Sequence, residues 1–211
     1  MKEYHKIQTV FKRDPETNFK TLLEGDYSEP EFKFLENNEW VFTEKVDGMN
    51  IRVMIRDGRV EFRGKTDRAS IPATLVSRLR EIPEKELLSM FEDGACLYGE
   101  GYGSKIQKGG GNYRKDNGFV IFDVMIGGVW LSRENVENIA YELGLEIVPI
   151  LGSGPLSTMV SIVKEGFIST WSSPGNEFIA EGIVARPAVD ILDRRGRRII
   201  TKLKHKDFVK K

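Results

Sequence analysis

The run "TEKVDGMNIR", residues 43–52, sets Lys45 at the end of the apolar stretch "WVFTEK" and two residues before Asp47-Gly48. A lysine attacks only when neutral, and its ordinary pKa is about 10.4. Burial and neighbouring cations disfavour the ammonium form. A nucleophilic Lys45 therefore needs an apolar strand beneath it and positive charge beside it. "WVF" supplies the first. Lys202 and Lys204 in "IITKLKHK" can supply the second, because residues two apart share one face of a strand. Two readings stay open for each feature. Lys45 is either a nucleophile or an edge lysine beside a turn. The lysine pair either lines an anionic pocket or guards an exposed strand edge. Glu100 and Glu181, set among apolar residues, either face solvent or face the same pocket. His5 and His205 are too few and too isolated for a zinc site or a catalytic triad.

These residues need elements to hold them. Asp57-Gly58 joins "NIRVMI" to "RVEFRG", two alternating runs with a two-residue connection, and predicts a hairpin. Asp47-Gly48 is read instead as a turn that positions Lys45. "WVFTEK", "CLYGEGYG", "FVIFDVMI", "LEIVPIL", "EFIAEGIVARP" and "RIITKLK" read as further strands. "SEPEFKFLENN" predicts a short helix with a capping box from Ser28 to Glu31 and Pro30 in its first turn. "IPATLVSRLREI", "PEKELLSMF" and "LSTMVSIVKEG" have apolar residues at helical spacing. "SRENVENIAYELG" is the clearest helix: Ser132 caps it, Val136, Ile139, Ala140 and Leu143 form its stripe, and Gly144 ends it. "QKGGGN" reads as a mobile loop without contacts, or as backbone open to phosphates. Strands and helices do not alternate regularly. An α+β fold with mainly antiparallel sheets follows, rather than a doubly wound parallel one.

The chain has 211 residues, enough for one domain with a real core. Its 32 basic and 32 acidic residues cancel, which excludes a global basic field for nucleic acid. The distribution is uneven: from Arg194 onward, "RRGRRIITKLKHKDFVKK" is basic, as a solvated surface or a phosphate-facing groove would be. Cys96 is the single cysteine, so no disulfide framework exists and a reducing compartment is expected. With no signal peptide and no apolar run long enough to span a bilayer, the expectation is a soluble, cytoplasmic protein.

In order the chain carries "EKVDGMN", "EFRGKT", "YGEGYG", "FVIFDV", "AEGIVARP" and "IITKLKHK". The series resembles that of the covalent nucleotidyltransferases: ATP-dependent DNA ligases, RNA ligases and capping enzymes. "KIQTVFKRD", "EPEFKFLENNEWVFTEK" and "GEGYGSKIQKGGGNYRKDNGF" most resemble small RNA ligases of phage and bacterial type. The resemblance implies an adenylyltransferase fold, an ATP-grasp-like ligase core with sheets flanking a nucleotide cleft. It implies one nucleotidyltransferase domain over residues 1–211, segment 1–39 included, without an OB-fold. Lys45 would take AMP from ATP as a phosphoramidate, with Lys202 and Lys204 gripping the α-phosphate and lowering its pKa. Glu44 would hold the adenine edge, mainly through backbone, and Asn50 would join the nucleotide-binding set. Arg63 would contact the ribose or the incoming end, Glu100 the ribose hydroxyls, and Phe122 would stack on the base or serve as plain core. Glu181 would serve Mg²⁺ (or Mn²⁺), which prefers hard oxygen ligands. The implied reaction adenylates a 5′-phosphate and joins it to a 3′-hydroxyl, on RNA ends more than DNA. A DNA nick-joining or end-adenylating enzyme, or a nucleotide-binding module without chemistry, are the other readings.

Overall fold

The computed structural model describes residues 2–209; Lys210 and Lys211, the end of the basic tail, lie outside the described residues. Through its first half the chain forms strands β1 (Gln8–Thr9), β2 (Phe11–Arg13) and β3 (Leu22–Tyr27), helix α1 (Pro30–Phe34), then β4 (Trp40–Lys45), β5 (Met49–Arg56) and β6 (Arg59–Gly64). Helices α2 (Ala73–Leu79) and α3 (Glu84–Met90) follow, then β7 (Ala95–Gly103), the one-turn α4 (Gly110–Tyr113), β8 (Asn117–Ile126) and β9 (Val129–Trp130). The remainder is α5 (Arg133–Glu142), β10 (Glu146–Ile147), β11 (Ile150–Gly154), α6 (Leu156–Glu165), β12 (Gly182–Pro187) and β13 (Thr201–Lys204). The fold is α+β and mainly antiparallel; among the described residues only β1–β13 and β10–β8 pair in parallel.

The described residues form two compact units. The first takes the N-terminal residues up to His5 and Asp47–Val148; the second takes Lys6–Val46 and the residues from Pro149 onward. In the first, the sheet order is β10-β8-β7-β5-β6, with β9 against β8. Alternation puts Ile51, Val53, Ile55, Leu97 and Ile121 on one face, where they pack with Leu75 and Leu79 of α2, Leu87 of α3 and Val136 and Ala140 of α5. Sixteen residues form this core, and removing such apolar surface from water is what holds helices on the sheet. The β5–β6 hairpin turns on Asp57 (φ 51°) and Gly58 (φ 66°), the two left-handed positions of a type I′ turn. Ser132 caps α5 by accepting from the Asn135 amide, and Gly144 (φ 61°) follows its end.

In the second unit the order is β1-β13-β12-β4-β11, and β2 and β3 form a separate ribbon. Trp40, Phe42, Ile183, Ala185 and Leu203 face Leu156, Met159 and Val163 of α6 in its core.

Four expectations need correction. Glu29, not Ser28, is the N-cap residue of α1, and it makes no side-chain cap bond; the Ser28 hydroxyl instead donates to the Thr9 carbonyl, tying this segment to β1. "LEIVPIL" is two strands: β10 pairs with β8 in the first unit and β11 with β4 in the second, with the chain passing between units at Val148-Pro149. "QKGGGN" is not without contacts. It contributes to α4, and a Cβ on Gly110 would stand 1.9 Å from the Gly103 carbonyl oxygen. Finally, β1 and the β2–β3 ribbon are additional elements, and β1 places Thr9 beside Lys202.

Candidate active site

Lys45 is the last residue of β4. Antiparallel pairing sets it opposite Gly182 on β12, and Gly182 in turn opposite Lys204 on β13. Directly paired residues project to the same side of a sheet, so Lys45 and Lys204 share a face. The next row along is Thr43, Val184 and Lys202, which puts Lys202 on that face too. Gly182 allows this closeness: a Cβ there would lie 2.0 Å from the Leu203 carbonyl oxygen, backbone that cannot swing away. The opposite face of the three strands is the second unit's apolar core.

Glu181, immediately before β12, closes the row. Its Oε2 accepts from Lys45 Nζ at 2.5 Å, and its Oε1 lies 2.5 Å from Lys204 Nζ. The three side chains are largely enclosed, at 18 %, 9 % and 23 % exposure for Lys45, Glu181 and Lys204. Burial alone would raise the Glu181 carboxyl, but the charge of Lys45 and the bonds from Lys204 and Lys45 outweigh it and hold it below the ordinary carboxylate range. One carboxylate bridging two ammonium groups leaves a net positive site, suited to an anion such as a nucleotide phosphate. Lys45 Nζ also donates to the Val46 carbonyl at 3.3 Å.

Glu44 faces the other way. Alternation along β4 turns it to the core side with Phe42, where it is 1 % exposed. Its Oε1 accepts from the Ser169 hydroxyl at 2.5 Å, and its Oε2 from the amide and hydroxyl of Thr170, both at 2.8 Å. Its own amide donates to the Pro149 carbonyl.

The other predicted residues lie in the first unit. Asn50 on β5 is opposite Glu100 on β7, and Arg52 is opposite both Tyr98 and Arg63. Asn50, Arg63 and Glu100 thus share the sheet face turned away from α2 and α3. Asn50 Oδ1 is buried without a hydrogen-bond partner in the protein. Arg63 is half exposed and donates to Glu61 at 2.9 Å. Phe122 is half-buried at the irregularity in the β7–β8 register, where Tyr98 pairs with Asp123 and Gly99 with Ile121. It meets the edge of Tyr4 at 5.1 Å between ring centroids. Tyr4 also donates to buried Asp123 at 2.5 Å and packs against Tyr98 and Trp130.

Sequence reasoning missed three features of this unit. Arg52 is 1 % exposed, with its guanidinium donating to the Gly64 carbonyl at 3.0 Å and to Asp67 at 2.7 Å. Its place two residues beyond Asn50 on an alternating strand was the available signal. Tyr113, just after the glycine-biased segment, accepts from the Asp47 amide at 3.2 Å, and Gln107, at that segment's start, donates to the Gly48 carbonyl at 3.0 Å. Gly48 is there for close approach: a Cβ would stand 2.2 Å from the Gly101 oxygen. No sequence signal separated that need from an ordinary turn.

The sequence model of the RNA ligase family matches residues 38–204, from two residues before β4 through Lys204. The chain belongs to the RNA ligase family. No curated protein matches it. Among solved structures, this RNA ligase family member is similar to the Naegleria gruberi RNA ligase in several states. A lysine-to-alanine mutant with ATP and manganese aligns with TM-score 0.64 at 19 % identity, over 84 % of this chain and 54 % of that one. A lysine-to-methionine mutant with AMP and manganese gives 0.63 at 15 %, over 94 % and 56 %. An aspartate-to-alanine mutant in the apo state gives 0.65 at 18 %, over 98 % and 60 %. The likeness is one of fold, and the chain spans between half and three-fifths of that ligase's length. Among the described residues no helix is long and apolar enough to cross a membrane.

Proposed function

We propose that this chain works as one nucleotidyltransferase domain, an ATP-dependent RNA ligase that proceeds through a lysyl-AMP intermediate. Lys45 Nζ attacks the α-phosphorus of ATP, the bond to the bridging oxygen breaks, and pyrophosphate leaves. An oxygen of a 5′-phosphate then displaces the lysine, giving an AMP-capped end. A 3′-hydroxyl attacks that end, AMP leaves, and the strand is sealed. Phosphoryl transfer asks a protein mainly for position and neutralised charge. Three lysines on one face of a sheet, with no histidine among them, meet that demand.

The observation that carries this reading is the Lys45–Glu181–Lys204 row. An anionic partner favours a lysine's charged form, so Lys45 must part from Glu181 before it can attack. Glu181 suits Mg²⁺ or Mn²⁺, which commonly takes one or two carboxylates together with substrate phosphates. When bound, the ion supplies neutralisation of phosphate charge. Lys202 and Lys204 hold the α-phosphate. The nucleoside falls to Glu44 through its backbone and to Asn50, Arg63, Glu100 and Phe122, as members of a nucleotide cleft in an ATP-grasp-like core. The unpartnered Asn50 acceptor beside Glu100 fits ribose hydroxyl donors. Buried Cys96 supports work in a reducing compartment such as the cytoplasm.

The test is incubation with α-labelled ATP and Mg²⁺ or Mn²⁺. A label that survives denaturation in the wild type and is lost in Lys45→Ala is expected. No covalent label with either metal at any pH overturns the reading. Labelled RNA and DNA ends, run side by side, then identify the preferred strand.

A further inference from the structure

We propose that the Glu44 carboxylate is a positioning group: it anchors the hairpin that delivers Glu181 to the two lysines, and it does not touch the nucleotide. This rests on the ligase reading above and assigns that site a residue whose action is indirect.

The segment from Phe167 to Ala180 leaves α6 and returns to β12 as an irregular hairpin. At its base the Ala180 amide donates to the Phe167 carbonyl at 2.9 Å, and the Ser169 amide to the Phe178 carbonyl at 2.9 Å. Ser169 is 3 % exposed and sits at the centre of this base. Its hydroxyl donates to Glu44 and accepts from the Trp171 amide at 3.2 Å, while its carbonyl accepts from the Ser172 amide. Thr170 adds two further donors to Glu44. The carboxylate thus accepts three hydrogen bonds from one hairpin. The next residue after the base is Glu181, whose carbonyl accepts from the His205 amide at 2.9 Å.

Glu44 and Lys45 are neighbours on one strand with opposite-facing side chains. One holds the hairpin from the core side; the other meets Glu181, the residue that follows the hairpin, on the polar side. A buried carboxylate needs hydrogen-bond donors to be tolerated, and Ser169 and Thr170 satisfy it within the protein, with the strand itself between it and the lysine face. Glu181 bridges two ammonium groups on two different strands, so its place relative to both is set by where the hairpin ends. A hairpin released at its base would let that carboxylate drift, and displacements near 1 Å can cost on the order of 100-fold in rate.

The experiment compares wild type, Glu44→Gln, Ser169→Ala, Ser169→Thr and the Glu44→Gln/Ser169→Ala double variant. The readouts are the rate of Lys45 labelling against ATP and metal concentration, and amide hydrogen exchange without nucleotide. For Glu44→Gln we expect labelling at saturating ATP to fall about 10-fold or more, with half-saturating ATP unchanged within about 2-fold. Half-saturating metal should rise, and the Ser169, Thr170 and Ala180 amides should exchange faster. Ser169→Thr should keep the wild-type rate, and the double variant should be no worse than Glu44→Gln, because both changes cut the same link. A raised half-saturating ATP at unchanged maximal rate overturns the proposal in favour of nucleotide contact. Additive losses, or unchanged exchange in the hairpin, also overturn it. Where Glu44→Gln does not fold, Ser169→Ala carries the same comparison. Absence of label in the wild type would reject the ligase reading instead, and the exchange measurement would still decide the anchoring.

Discussion

Glu181 is the side chain on which the polar face of the second unit depends. Its carboxylate lies between two ammonium groups that would otherwise oppose each other across Gly182. Removing one member of an enclosed ion pair typically costs about 3 kcal/mol, because the remaining charges stay desolvated. Glu181→Ala should therefore lose stability on that order, measured by urea unfolding. The acid limb of stability gives an independent check. A carboxyl whose folded pKa is depressed adds stability that is complete above its unfolded value and is lost as pH falls through the folded one. Wild type should exceed Glu181→Gln in Tm at neutral pH, and the gap should close only below the ordinary carboxylate range. A gap constant with pH would show that charge at Glu181 contributes nothing. Much of this row was readable beforehand: alternation put Lys202 and Lys204 on one face, and motif order put Glu181 and Lys45 beside them. The same alternation turns Glu44 away from Lys45, a consequence available from period two alone.

Strands and turns show where such reading succeeds and where it stops. Both Asp-Gly pairs look alike in sequence, yet they answer different demands. Gly58 needs a left-handed backbone and has open space around it; Gly48 needs the room that a Cβ would fill. Gly58→Ala should cost about 1 kcal/mol of backbone strain. Gly48→Ala should cost about 3 kcal/mol, because the atom it meets is a carbonyl oxygen that cannot rotate aside. Urea midpoints of the two variants test the ranking, and equal effects would refute it. The elements misread from sequence are those whose partners are distant in the chain. "LEIVPIL" has the composition of one strand, and only its partners β8 and β4 reveal two. Ser28 has the type of an N-cap but is claimed by the Thr9 carbonyl. The β2–β3 ribbon carries largely exposed residues, so no hydrophobic alternation announced it.

Neither unit is one continuous stretch, since the chain passes between them after His5, Val46 and Val148. The few N-terminal residues consequently matter to a core that is otherwise drawn from Asp47 onward. Tyr4 buries its ring among Tyr98, Phe122 and Trp130 and donates to Asp123. Tyr4→Ala should cost about 3 kcal/mol in urea unfolding, as for other large-to-small core changes, and should shift the fluorescence of Trp130. An unchanged midpoint would mean the N-terminal residues do not belong to that core. Position 182 carries a different kind of consequence. A single methyl there would force β12 and β13 apart and, with them, the spacing on which the lysines depend. The pairing of those lysines can thus be inherited only together with a residue that itself does no chemistry, and the least eventful member of the row is the one with no substitute.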